Sequence, residues 1–354
     1  MKLGVIARAE DRGLGNQTFE VCKALRPERV LVVEMGALAG GFTAHLDRYA
    51  GLGLNVTVVP VDRLGDPAAV GAWLSGLDVV YTAETFYAPD FPALARAAGV
   101  ATVCHLNPEF YKHGHEPDWP RPSAWWVPSP WLIDDARLPS PRLVPMPVPQ
   151  GMEPAPWPRE PGPLRVLHVA GKPTAGDRNG TRGVLMALRL LRAEMHITVR
   201  AQAASMPHPG RVPRHVRYTA ALGNVPDFRR IYSGHDVLVM PRRYGGLCLP
   251  VLEAAAAGLA VVMTDCSPNQ AYPAALVRSA CRDEMATPLG AVPAFDVHPP
   301  SLAAMLDALA GDRDLVEQLR FDAEAWAVEH SWEALAGTWR VALEDACHAE
   351  ATRH

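Results

Sequence analysis

The sequence predicts an α/β protein of two domains, each a parallel sheet with helices on both faces. Three observations carry this. The chain has 354 residues, more than one hydrophobic core usually supports. Short apolar runs alternate with helix-compatible stretches through the first 138 residues and again from 164 onward, the pattern of strands joined by crossover helices. Between the two series, residues 139–163 read PSPRLVPMPVPQGMEPAPWPREPGP. Proline fixes φ and lacks an amide donor, so this stretch suits an extended connector and excludes a helix or a central strand.

In the first half, buried strands are expected at 2–7, 30–34, 55–59, 78–82, 101–105 and 124–128, with helices at 17–25, 40–49, 67–75 and 91–98. In the second half, strands are expected at 164–170, 196–201, 216–220, 236–240 and 259–264. Segment 183–194 places Val184, Leu188 and Leu191 on one helical face and Arg189 and Arg192 on another, an amphipathic pattern. Further helices are expected at 226–233, 250–257 and 302–309, and two more between 314 and 346. The domains so read are 1–148, a linker 149–163, a second domain 164–313, and C-terminal helices 314–354 packing back on the domains. The expected architecture is two Rossmann-like domains facing across a cleft, with ligands at the carboxyl ends of the strands.

Composition removes several function classes. The chain is 49% hydrophobic and 20% charged, which excludes a disordered chain. A mean hydropathy of −0.01, with no apolar run near 18 residues, gives no membrane span. The first residues, MKLGVIARAEDRG, lack a long apolar core and a cleavage site, so a cytoplasmic protein is expected. Six cysteines occur without a C-x-x-C pair, ordinary intracellular usage and no zinc pattern. The net charge is −4, and residues 1–150 hold 13 Lys+Arg against 16 Asp+Glu, which speaks against a nucleic-acid partner.

One stretch carries most of the chemistry. Residues 236–265, DVLVMPRRYGGLCLPVLEAAAAGLAVVMTD, read as a buried strand, a glycine-bearing loop, a helix opened by Pro250 and a strand after Gly258. Proline suits the first helical turn and glycine the exit. Gly245 and Gly246 let backbone approach a ligand closely, and the helix start behind them favours a phosphate. Glu253, expected in the first turn, is placed either to accept hydrogen bonds from a ribose diol or merely to complement the helix dipole.

This stretch resembles the retaining GT-B glycosyltransferases of family four, whose usual string is E-G-F-G-L-P-x-L-E-A-M-A-x-G-x-P-V. Gly246, Leu249, Pro250, Leu252, Glu253, Ala254, Ala256, Gly258 and Val261 match its spacing. VLHVAGKPTAGDRNGT (166–181) resembles the family's strand and phosphate clamp, with Gly171 at the strand end, Lys172 replacing an arginine and Asn179 replacing a lysine. IYSGHDVLVMP (231–241), VEHSWEALAGTW (328–339) and RGLGNQT (12–18) look like further family segments. The resemblance implies a GT-B fold and transfer of a sugar from a nucleotide-diphosphate sugar, with Glu253 on the ribose. One departure stands out: the family's first glutamate, which contacts the donor sugar, falls at Gly245, leaving Tyr244, Arg243 or the Gly246 amide as substitutes. The opening also resembles bacteriophage glycosyltransferases, some of which modify hydroxymethylated pyrimidines in DNA.

Cleaving a nucleotide-sugar bond builds negative charge on the leaving diphosphate, which fixed cations and dipoles must stabilise. Lys172 and Arg178 are the expected catalytic cations, with Arg182 beside them. Gly171, Tyr244, Gly245, Gly246, Leu247 and Glu253 complete the expected donor site. Residues 200–243 hold eight arginines against two aspartates, some of them expected at the cleft. The resemblance puts RGLGNQT in the family's glycine-rich loop after the first strand and places His105 near the reacting sugar, a histidine at a strand end being either that or a structural residue. Gly13, Gly15, Glu84, Asn107 and Glu109, each following a strand, are expected on the acceptor side. Retention needs no separate base, since a departing phosphate oxygen takes the acceptor's proton. No metal or cofactor is expected: the sole Asp-x-Asp, Asp312-Arg313-Asp314, reads as a helix-capping turn. Other classes remain open. Gly13-x-Gly15-x-x-Thr18 with Glu34 is a degraded dinucleotide fingerprint, and the glycine at 245 allows an epimerase or a non-catalytic sugar-nucleotide binding protein.

Overall fold

The computed structural model describes every residue except 11, 37–44, 113–118, 153, 155–161, 173–175, 226 and 353–354. The chain divides into two compact units. One comprises Met1–Met146, Pro288–Gly290 and Trp332–His354, and the other comprises Pro147–Thr287 and Ala291–Ser331.

Unit 1 is built on seven strands: β1 (Leu3–Ala7), β2 (Arg29–Glu34), β3 (Val56–Pro60), β4 (Val79–Ala83), β5 (Ala101–His105), β6 (Ala124–Val127) and β7 (Arg142–Leu143). They pair in parallel in the order β3-β2-β1-β4-β5-β6-β7. β1, β4 and β5 are buried at every position, as strands covered on both faces must be. The two-residue β7 lies within the proline-rich stretch read as connector, at the sheet edge, where flanking prolines cost no ladder bonds. Helices α1 (Gly13–Leu25), α2 (Asp47–Ala50), α3 (Pro67–Leu74) and α4 (Phe91–Ala97) connect these strands. Asp66 caps α3 by accepting from the Ala68 amide at 2.9 Å, with Pro67 at the first position.

Unit 2 repeats the plan with β8 (Leu164–Gly171), β9 (Met195–Ala201), β10 (Val216–Leu222), β11 (Val237–Met240), β12 (Ala260–Thr264) and β13 (Ala275–Val277), ordered β10-β9-β8-β11-β12-β13 and parallel throughout. Helices α5 (Thr181–Ala187), α6 (Leu249–Ala256), α7 (Pro299–Gly311) and α8 (Arg313–Glu329) cover it. One core, including Val166, Ile197, Val239, Val262 and Leu306, lies on one face of the sheet. A second, including Leu167, Leu238, Met240, Val251 and Met263, lies on the other. Strands β14 (Ser279–Thr287) and β15 (Gly290–Val297) form a separate two-stranded ribbon. The last helix, α9 (Trp332–Ala351), packs on β4, β5 and α1 of unit 1. Glu350 anchors it there, accepting from Arg96 Nε at 2.5 Å and from Ser123 Oγ at 2.7 Å.

Several expectations need correction. RGLGNQT is the opening turn of α1, not a glycine-rich loop. A Cβ on Gly15 would stand 1.9 Å from the Glu10 carbonyl oxygen, so this glycine permits close packing of helix on loop. Of the helix expected at 40–49, residues 40–44 lie outside the described residues, 45–46 are not helical, and α2 covers 47–49. The amphipathic helix starts earlier and ends sooner than 183–194, passing into a 3-10 turn at Leu188–Leu190. Segment 226–233 yields only the 3-10 turn Phe228–Ile231, and Pro226 is outside the described residues. β13, β14 and β15 were not foreseen. β14 is polar and mostly exposed on both sides, so it carries no alternation to reveal it. No helix among the described residues is long and apolar enough to cross a membrane.

The contact at Gly15 makes a direct prediction. Gly15→Ala forces the α1 opening away from the Glu10 carbonyl and lowers the free energy of unfolding by about 1–3 kcal/mol in urea titration. An unchanged midpoint would show that the close approach is not required.

Candidate nucleotide site

Strand order reverses beside β8, which pairs with β9 on one side and β11 on the other. In a doubly wound sheet, loops leaving two such strands diverge and open a crevice at the carboxyl edge. Here those loops begin at Gly171 and Met240.

The first loop is held by its own side chains. Gly171 takes φ +66°, and Asn179, expected to replace a cation, donates instead to the Val169 and Ala170 carbonyls at 3.0 and 3.2 Å. Asp177, absent from the sequence-based site, accepts from the amides of Thr181 and Arg182 at 2.8 Å each. Its carboxylate thus fills the start of α5, leaving no role there for an incoming phosphate. The D-R-N-G-T order was a readable capping signal. Buried His168 ties the layers together, with Nδ1 2.8 Å from the Val239 carbonyl and Nε2 2.9 Å from Thr181 Oγ1. Burial lowers its pKa, and these partners fit a neutral ring with Nδ1–H donating. Lys172 is exposed at the strand end, with no ion-pair partner among the described residues. Arg178 is half-buried, while Arg182 projects from α5 into solvent.

The second loop, 241–248, is buried throughout. Arg243 ion-pairs through Nε with Asp296 Oδ1 of β15 at 2.5 Å and donates through Nη1 to the Gly176 carbonyl. Its own amide donates to the Arg178 carbonyl at 2.8 Å and its carbonyl accepts from the Phe295 amide at 3.0 Å. Arg242 Nε donates to the Tyr244 carbonyl at 2.9 Å. Both arginines therefore build the loop. Of the other six in 200–243, five are exposed, and Arg200, half-buried on β9, has its pKa lowered by burial. Gly245 takes φ +112°, a conformation that disfavours the glutamate the resemblance would place there. The amides of Gly245 and Leu247 have no acceptor among the described residues. Buried amides of this kind, just ahead of a helix start, form a cradle for an anion. The structure thus brings together Arg178, Tyr244, Gly245, Gly246 and Leu247.

Glu253 is the fifth residue of α6, one turn further in than expected, and is 7% exposed. Its Oε2 accepts from the hydroxyl of fully buried Tyr232. Burial, and then the Glu253 charge, push the Tyr232 pKa well up, so the phenol stays a donor and orients the carboxylate. In the sequence, Tyr232 stands within the IYSGHDVLVMP segment, with no local signal that it faces Glu253.

In unit 1, the expected acceptor residues fall in two places, and His105 in a third. Glu84, at φ +64°, accepts from Asn107 Nδ2 at 2.8 Å, so loops following β4 and β5 meet. Glu109 is buried beside them in a 3-10 turn. Gly13 and Gly15 lie in α1, and neighbouring Glu10 is held by Arg8 Nη2 at 2.6 and 2.7 Å. His105 is enclosed, 1% exposed, with Tyr81, Trp126 and Trp339 rings at 6.0, 5.8 and 5.4 Å. Burial pushes its pKa down to about 3, and the Tyr81 hydroxyl lies 3.1 Å from Nδ1. That environment belongs to a neutral packing histidine, in place of the sugar contact the resemblance implied. Of the aromatic cluster in 105–131, Trp126 and Trp131 are core, Phe110 and Trp119 are partly exposed, and His113 and His115 lie outside the described residues. No group of three or more His, Cys, Asp or Glu able to hold a metal occurs among the described residues.

Residues 166–290 match the family described as Glycosyl transferases group 1, a stretch that contains both loops. No curated protein matches the chain by sequence. Among solved structures, Anabaena HepE in complex with UDP and glucose is similar over 97% of this chain and 99% of its own, at 12% identity and a TM-score of 0.67. A glycosyltransferase from Rickettsia africae is similar over 98% of both chains, at 11% identity and a TM-score of 0.67. Sucrose-phosphate synthase from Thermosynechococcus elongatus is similar over 99% of this chain and 100% of its own, at 13% identity and a TM-score of 0.65. The fold is therefore GT-B, two parallel-sheet α/β domains.

The enclosure of His105 has a pH signature. The unfolded chain protonates near the ordinary value of about 6.5, and the native ring only near 3. The unfolded state thus binds more protons within that window, and stability falls as pH is lowered through it, by up to about 1.4 kcal/mol per pH unit. His105→Phe, which keeps a ring without a titrating nitrogen, gives a shallower fall in urea midpoint between pH 6.5 and 4. Equal slopes would contradict the assignment.

Proposed function

We propose that this chain is a glycosyltransferase that moves a sugar from a nucleotide-diphosphate sugar, first among them a UDP-sugar, to an acceptor hydroxyl with retention. One observation carries the reading: a buried loop whose Gly245 and Leu247 amides have no acceptor among the described residues opens α6, and a buried, oriented carboxylate follows on the same helix. The match of 166–290 to a glycosyltransferase family and the UDP held by the similar Anabaena structure support it.

The diphosphate is read as resting on the Gly245 and Leu247 amides, against the positive end of α6. Glu253, aimed by Tyr232, accepts from the ribose hydroxyls. Lys172 and Arg178 approach from the facing loop and stabilise the charge that grows as the bond to the sugar breaks. Because Arg242 and Arg243 are spent on structure, these two carry the mobile cationic share. With His105 enclosed, a departing phosphate oxygen takes the acceptor's proton on the same face of the sugar, which favours retention and dispenses with a metal. On the acceptor side, half-buried Glu84, paired with Asn107, offers a carboxylate that suits hydroxyl donors and repels a phosphate backbone. Small hydroxylated acceptors are therefore preferred over hydroxymethylated DNA.

Calorimetric titration with nucleoside diphosphates, followed by sugar-release assays on the matching donors, tests the assignment. Glu253→Ala weakens UDP binding by about 10- to 100-fold through loss of charge-assisted bonds, and retained affinity would remove the ribose role. Lys172→Ala lowers kcat by about two orders of magnitude with a smaller change in donor KM, and wild-type turnover would remove it from the clamp. The anomeric configuration of the product, read by NMR, decides retention.

A further inference from the structure

We propose that Tyr272 is a positioning residue for the donor's diphosphate, acting through the loop ahead of α6, a role that rests on the nucleotide-sugar reading above. Its hydroxyl lies 3.3 Å from the Cys248 amide, which donates to it, and 3.3 Å from the Gly246 carbonyl, to which it donates. The two contacts bracket Leu247, whose amide has no acceptor among the described residues. Cys248, the residue preceding α6, supplies no side-chain cap of its own. The phenol therefore does from a distance what the Glu of a capping box does locally, accepting from the amide of the capping residue.

A hydroxyl is required for this, because one atom must both accept and donate. With both contacts made, the peptide planes on either side of Leu247 are fixed, and so is the direction of its amide. The same segment grips the loop at its other end: Asn269, 1% exposed, donates to the Arg242 carbonyl at 3.1 Å and to the Thr264 carbonyl at 2.9 Å. Tyr272 is itself braced by α8. Its ring lies 6.1 Å from Trp326, which stacks on His330 at 3.8 Å and 13°. A pre-set amide costs no reorganisation when the phosphate arrives, so Tyr272 acts on the diphosphate without touching it.

Titration of wild type and Tyr272→Phe with UDP and with uridine, followed by NMR, separates this role from general support of the fold. The phenylalanine keeps the ring contact with Trp326 and removes only the hydroxyl. Uridine affinity should be unchanged, while UDP binds about three- to tenfold more weakly. Donor KM should rise by a similar factor, and the thermal midpoint should stay near wild type. Equal UDP affinity in the two proteins overturns the proposal, as does an equal loss for uridine and UDP, which marks a purely structural tyrosine. Wild-type protein that fails to bind UDP overturns the underlying site reading instead, whatever the variant does.

Discussion

The burial of residues 241–248 is the constraint around which the site is organised. A buried loop cannot leave its polar backbone to water, so each carbonyl and amide needs a partner from the protein or from a ligand. Three other segments hold it: Arg243 reaches the Gly176 carbonyl and Asp296, while Asn269 and Tyr272, on one segment, bond the Arg242 and Gly246 carbonyls and the Cys248 amide. Among the described residues, the amides of Gly245 and Leu247, in front of α6, have no acceptor. The loop is rigid because its arginines are consumed within it, and it is receptive because those two donors are not.

This arrangement changes how positive charge is used. A count of arginines in 200–243 suggests a cationic surface awaiting phosphate. In the folded chain, the two closest to the loop neutralise Asp296 or hydrogen-bond to backbone, and most of the rest face solvent. Attraction for an anion then comes from oriented dipoles at short range, which need no counter-charge and no side-chain ordering. In the proposed site, Lys172 and Arg178 add charge from outside. Asp177 fills the start of α5, so the proposed anion seat is the start of α6. Orientation of Glu253 by Tyr232 follows the same logic, since a buried carboxylate must be hydrogen-bonded to remain charged.

The sequence made the repeated α/β plan legible because buried parallel strands are continuous apolar runs, and eleven of them fell close to the observed positions. The strand–loop–helix unit around Pro250 and Gly258 was legible for a related reason: its spacing is local, and proline and glycine act on their own backbone. What escaped notice depends on distance in the chain. Tyr272 and Asp296 reach the loop from beyond β12, and no local pattern announces that. His105 reads locally as the end of a strand, and it is Trp339 of α9, much further along the chain, that closes over it. The β14–β15 ribbon, polar and exposed, lacked any periodicity to detect.

Amide hydrogen exchange with and without UDP tests the central claim most directly, because it reports on the main-chain nitrogens assigned to the diphosphate. Saturating UDP should slow exchange in peptides covering 244–249 and around Lys172, leaving those of β4 and β5 unchanged. Protection confined to unit 1, or none at 244–249 despite measurable UDP binding, would contradict the account.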